Sequence, residues 1–127
     1  MSSTIHALLI DATGTLTDLY LDADEHRQYT QVHDALGGRF EVIRNVHTTY
    51  GPATTVLVND EFDKQPLNAV AARVLGALLK EDLAAITQGP VLFVARKNTG
   101  TLTSVPEAMA DRIRALCSAT TATPTAV

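Results

Sequence analysis

Asp11 is the first residue whose setting suggests chemistry. It follows the apolar run Ile5 to Ile10 and opens the stretch Asp11-Ala12-Thr13-Gly14-Thr15-Leu16-Thr17-Asp18. A carboxylate at the end of a buried strand can serve as a phosphoryl-accepting nucleophile and magnesium ligand, with an acid two residues on to move the proton. Here that second position is Thr13. A later cluster, Asn59, Asp60, Glu61 and Asp63, carries oxygens suited to a hard cation. It lacks the alternating acids, central Gly and closing Glu of an EF-hand loop, so a solvated loop is expected. His6, His26, His33 and His47 include one i, i+7 pair, two helical turns apart and too distant to share one zinc ion. Cys117 has no adjacent base and no helix N-terminus to lower its pKa. No Ser sits in a Gly-x-Ser-x-Gly elbow. No catalytic residue, metal ligand or cofactor is expected from these patterns.

Leu8 to Asp18, LLIDATGTLTD, resembles the first motif of the haloacid-dehalogenase-like phosphatases, an apolar strand followed by Asp-x-Asp-Gly-Thr-Leu. The resemblance implies that Asp11 is the nucleophile of a magnesium-dependent phosphatase; some members carry Thr at the second acidic position. The same family needs a late acidic pair after another strand. The nearest candidate, Asp60 and Asp63 in VLVNDEFD, follows the first motif with one expected helix between, and the wound sheet requires more crossovers. After VLFVA come Arg96 and Lys97, not acids. Asp11 to Thr15 has a simpler use as a hairpin turn, with Asp and Gly at turn positions.

A binding role asks for less. Asn68 opens a long amphipathic segment and suits an N-cap, accepting from the N–H of Val70 or Ala71. The N-terminus of a helix also attracts anions. Arg73 follows within about 8 Å along the axis, from a rise of about 1.5 Å per residue. Arg96 and Lys97 close an apolar run, where loops often carry function. The expected ligand-binding set is Asn59, Asp60, Asn68, Arg73, Arg96 and Lys97. Asp60, Glu61 and Asp63 would repel a phosphate unless they point away or bind its sugar or base.

These residues need a scaffold, and the composition bounds it. The chain has 127 residues, 46% hydrophobic and 19% charged, with ten basic against fourteen acidic side chains and a net charge of −4. One domain of ordinary size is expected. The charge is the wrong sign for binding nucleic acid by phosphate neutralisation. One cysteine excludes an internal disulfide, and no apolar run suits a membrane span. No Lys or Arg precedes the first apolar run, so no secretory signal is expected and the host cytosol is the expected compartment.

The periodicities give strands at Ile5 to Ile10, Thr15 to Leu21, Phe40 to Val46, Thr54 to Val58 and Val91 to Ala95. A first helix carries Tyr29, Val32 and Leu36 on one stripe and ends at Gly37-Gly38. A second runs from near Asn68 to near Ile86 on the stripe Val70, Val74, Leu75, Leu78, Leu79, Leu83 and Ile86. A third starts at a capping box, Ser104 to Glu107. The expected fold is a single α+β domain over 1–117, a mixed sheet of about five strands with three helices in the order β-β-α-β-β-α-β-α, and a disordered tail over 118–127.

Three ordered segments carry a further resemblance. They are Ala35-Leu36-Gly37-Gly38-Arg39-Phe40-Glu41-Val42, then Leu57-Val58-Asn59-Asp60-Glu61 with Pro66-Leu67-Asn68-x-x-Ala71, then Gly89-Pro90-Val91-Leu92-Phe93-Val94. With the N-terminal hairpin, about residues 5–95, they resemble a family of small phage and plasmid proteins catalogued as a domain of unknown function. The resemblance implies a small α+β domain of mobile elements with no catalytic residues to carry over. The first reading is therefore a non-enzymatic accessory protein of phage type. It would bind a small anionic, nucleotide-like ligand or a host protein, with sequestration of a nucleotide signal in counter-defence as one use. The phosphatase at Asp11 is an alternative. A structural or protein-interaction domain, homo-oligomeric through an open sheet edge, is another.

Overall fold

The computed structural model describes residues 4–47, 51–81 and 87–122. Strands β1 (Thr4–Ile10) and β2 (Leu16–Asp22) form a hairpin. Helix α1 (Glu25–Leu36) leads to a second hairpin, β3 (Phe40–Val46) and β4 (Ala53–Asn59). Helix α2 (Ala69–Leu79) precedes a third, β5 (Val91–Arg96) and β6 (Leu102–Thr103), and α3 (Glu107–Ala122) follows. The sheet order is β2-β1-β5-β4-β3, with β6 paired to β5. The domain is α+β with three helices in the expected order. Where a mixed sheet was expected, the ladders among the described residues are all antiparallel. The reason lies in the connection through α2. It leaves β4 at Asn59 and re-enters beside it, with Val58 opposite Val91, so β5 must run back along β4.

Central β5 is buried from Val91 to Ala95, because both faces of the sheet are covered there. One face packs Leu8, Ile10, Val56 and Phe93 against Val74 and Leu75 of α2 and Met109 and Ile113 of α3. The other packs Ala7, Leu57, Leu92 and Val94 against Val32 and Leu36 of α1. Gln28, not Tyr29, completes the buried stripe of α1. Positions 28, 32 and 36 repeat every fourth residue and share a face. The Gln28 amide is satisfied by the Asp22 carbonyl at 3.1 Å.

Local chemistry sets most boundaries. Asp24 caps α1 by accepting from Arg27 N–H, and Gly37 ends it in the left-handed conformation. Helix α2 stops at Leu79, short of the expected Ile86. Lys80 turns left-handed and Glu81 N–H closes on Gly76 O at 3.1 Å. That fold-back needs Gly76, because a Cβ there would lie 2.7 Å from Glu81 O. Leu83 and Ile86 lie outside the described residues. The capping box at Ser104 does not form. Ser104 Oγ accepts from His6 N–H at 2.9 Å, and the Pro106 carbonyl takes the first helical bond, from Ala110. Helix α3 runs past Cys117 to Ala122, so Ser118–Ala122 continue the helix within the expected tail of 118–127, and 123–127 lie outside the described residues.

Candidate functional site

Asp11 sits at the tip of the first hairpin. Its Oδ1 accepts from Thr13 N–H at 2.9 Å, Thr13 Oγ1 at 2.6 Å and Thr15 N–H at 3.0 Å. The Thr13 hydroxyl, more than any other partner, holds the Asp11 carboxyl below its ordinary value, with the backbone N–H groups adding to it. Both neighbours of β1 run antiparallel to it. The parallel, wound sheet implied by the phosphatase resemblance is therefore not the topology around Asp11.

The motifs that carry the second resemblance meet as structural joints. Asn59 Nδ2 donates to Leu36 O at 2.8 Å, and its Oδ1 accepts from Glu61 N–H at 2.7 Å, fastening the end of α1 to the end of β4. Gly37 and Gly38, both at positive φ, pass close over that amide. Asn68 is 1% exposed. Its Nδ2 donates to the carbonyls of Ile10, Asp11 and Gly89, and its Oδ1 caps α2 at Ala71 N–H. An amide committed in this way has no donor left for a ligand.

The six expected ligand-binding residues do not form one site. Asn59, Asp60 and Asn68 lie at one end of β4 and β5. Arg96 and Lys97 lie at the other, because Val58 faces Val91 and Ala53 faces Arg96. Five residues separate those pairs, about 17 Å at about 3.4 Å per residue. Asn59 and Asn68 also fasten opposite faces of the sheet, to α1 and α2 respectively. Arg73 is exposed on α2, among buried neighbours Ala72 and Val74 that face the core.

Arg96 and Lys97 are joined by residues that sequence reasoning did not include. A cavity of about 410 Å³ gathers them with His47, Asn45, Asn98 and Thr99. The strand ladders bring this about. A bulge at Ile43 shifts the register of β3, since Val42 pairs with Leu57 but Arg44 with Val56. After it, Asn45 lies opposite Thr55 and accepts its hydroxyl at 2.9 Å. The β5–β6 turn is closed by Lys97 N–H to Thr101 O at 2.9 Å and Gly100 N–H to Lys97 O at 2.8 Å. Ion pairs among the described residues engage Arg27, Arg44, Lys64 and Arg114, but neither Arg96 nor Lys97. Among the described residues no carboxylate lines the cavity. The chemistry on offer is two permanent cations, two amides, a hydroxyl and an imidazole, which suits anion oxygens.

A third cluster joins β1, β2 and α3. Asp18 Oδ1 accepts from His6 Nε2 at 2.7 Å and Arg114 Nη2 at 2.6 Å. His6, and after it Arg114, holds the Asp18 carboxyl below its ordinary value. Burial pushes the nearby Cys117 thiol up, away from the reactive thiolate. Among the described residues no three His, Cys, Asp or Glu side chains converge as a metal site, and no helix is long and apolar enough to cross a membrane. Comparisons of the chain with protein families, with curated proteins and with solved structures give no match.

Proposed function

We propose that the protein is a non-catalytic binding module for a small anionic ligand, held where β5 turns into β6. The observation that carries this reading is the lining of the 410 Å³ cavity, where Arg96 and Lys97 stand with no carboxylate among the described residues, in a chain of net charge −4. Its volume falls in the range of about 300–1,000 Å³ typical of small-ligand sites. The lining favours binding over catalysis. Amides and cations recognise anion oxygens, and among the described residues no acid stands beside His47 in the cavity to form a proton-transfer pair. The resemblance to small phage and plasmid proteins supports an accessory role in a mobile element, for which holding a host's anionic signal is one use.

The test is calorimetry against inorganic phosphate, pyrophosphate and a panel of nucleotides. Arg96→Ala and Lys97→Ala should each weaken the bound anion by roughly 10- to 150-fold, from about 1.5–3 kcal/mol for a charged hydrogen bond. Arg73→Ala, on the outer side of α2, should bind like wild type. No heat from any anion would defeat the reading, as would a loss in Arg73→Ala equal to that in Arg96→Ala.

A further inference from the structure

We infer that the ligand is a nucleotide whose phosphate meets Arg96 and whose base lies in the groove between α1 and the sheet. The inference rests on the anion-binding reading above and adds the second half of the site. A second cavity, of about 330 Å³, shares Arg96 and Gly100 with the cationic one, so the two adjoin. Its floor includes Leu57 of β4 and Leu102 of β6, and its wall includes Tyr29 of α1 and Phe40 of β3. The two rings lie 5.2 Å apart at 44°. Tyr29 is 54% exposed, though it is a large apolar group beside a groove. A planar base stacked there would remove that ring from water, which an inorganic anion would not.

Charge sets the direction of the ligand. Glu25 lines the groove, but not the cationic cavity. It sits at the start of α1, on the Arg96 side of the sheet because α1 follows Asp22 and ends beside Asn59, and its carboxylate is placed to accept from a ribose hydroxyl between phosphate and base. Arg96 bounds both cavities and is in no ion pair among the described residues. The phosphate therefore belongs at the Arg96 end and the base toward α1. The groove is lined mainly by apolar side chains, with Thr101 among its polar members, which suits the flat face and heteroatom edge of a base.

The test titrates the full chain with the four ribonucleoside monophosphates and with inorganic phosphate. At least one monophosphate should bind about 10-fold or more tighter than phosphate, the increment that base stacking supplies. Tyr29→Ala should bring that nucleotide down to the phosphate level and leave phosphate affinity unchanged, while Tyr29→Phe keeps the nucleotide. Arg96→Ala should weaken both ligands. Phosphate binding as tightly as every nucleotide would overturn this inference and leave the anion site standing. Nucleotide affinity unchanged in Tyr29→Ala would also overturn it. So would a change in sedimentation of Tyr29→Ala without ligand, which would mean that a second copy covers the groove. No binding of phosphate or nucleotide would overturn both the inference and the reading beneath it.

Discussion

Asn68 donates from Nδ2 to the carbonyl oxygen of Asp11 at 2.9 Å, across 57 positions of sequence. The bond ties the first hairpin tip to the start of α2. The same nitrogen reaches Gly89 O at 2.9 Å and Ile10 O at 3.3 Å, so two N–H groups serve three carbonyls from two other segments. A residue that could have met an anion at a helix end is instead the joint on which the end of β1 and the approach to β5 meet.

Replacing that joint should be costly. Asn68→Ala removes a cap worth about 1 kcal/mol and leaves buried polar groups unpaired at about 1–3 kcal/mol, for a loss of about 2–4 kcal/mol. Asn68→Asp keeps the acceptor for Ala71 N–H but loses the donor. It should lose nearly as much at pH 7, whereas a residue that acted only as a cap would lose little. Urea unfolding of both variants checks this. A loss under about 1 kcal/mol in Asn68→Asp would reduce Asn68 to a cap.

Asp11 predicts a pH dependence. Its folded carboxyl lies below the ordinary 3.8, chiefly through the Thr13 hydroxyl. A depressed acid contributes stability that is present above its unfolded value and lost as pH falls through its folded value. Wild type should therefore exceed Asp11→Asn by about 1 kcal/mol or less at pH 7, since the Asn oxygen still accepts. The gap should close as pH drops below 3.8, measured by denaturant unfolding across pH. Neither protein should hydrolyse an aryl phosphate with Mg²⁺. Turnover lost in Asp11→Asn would restore the nucleophilic role.

Gly14 closes the same turn at φ +88°, and a Cβ there would lie 2.6 Å from Val70 Cγ2 on α2. Gly14→Ala should cost about 2 kcal/mol or more, from the left-handed backbone and the overlap together. Adding Val70→Ala should return the overlap part and leave the backbone part. If the double variant is no better than the sum of the singles in thermal melts, Gly14 is required by its φ alone.

The parts of this structure that were legible in sequence are those decided within a few residues. Gly37-Gly38 ends α1 because a left-handed cap is a local need, and the five apolar residues Val91 to Ala95 fill the sheet's centre because both faces are covered. The end of α2 was hidden, since an apolar stripe continues past Leu79 and only the contact of Gly76 with Glu81 stops the helix. Two residues of the candidate site were legible, Arg96 and Lys97 after a buried strand. Asn45 and His47 reach them through the β3 bulge and the pairing of Ala53 with Arg96. Such register joins residues about 40–50 positions apart and leaves no periodic trace.

Thr54 offers a way to strengthen the scaffold without touching the site. It is fully buried on β4 opposite Val46 and Ala95, and its Oγ1 has no hydrogen-bond partner among the described residues. A hydroxyl buried without a partner forfeits its bonds to water, at about 1–3 kcal/mol. Valine has nearly the same shape and the same preference for strands, so Thr54→Val should leave the backbone in place. The variant should gain about 1 kcal/mol, raising the melting temperature by about 3–5 °C for a domain of this size. Thr54→Ser keeps the unpaired hydroxyl and adds a void, so it should fall below wild type. Denaturant and thermal unfolding of the three proteins give the order. A valine variant no more stable than wild type would mean that the Thr54 hydroxyl is satisfied in solution, by a bound water or a shift of the strand.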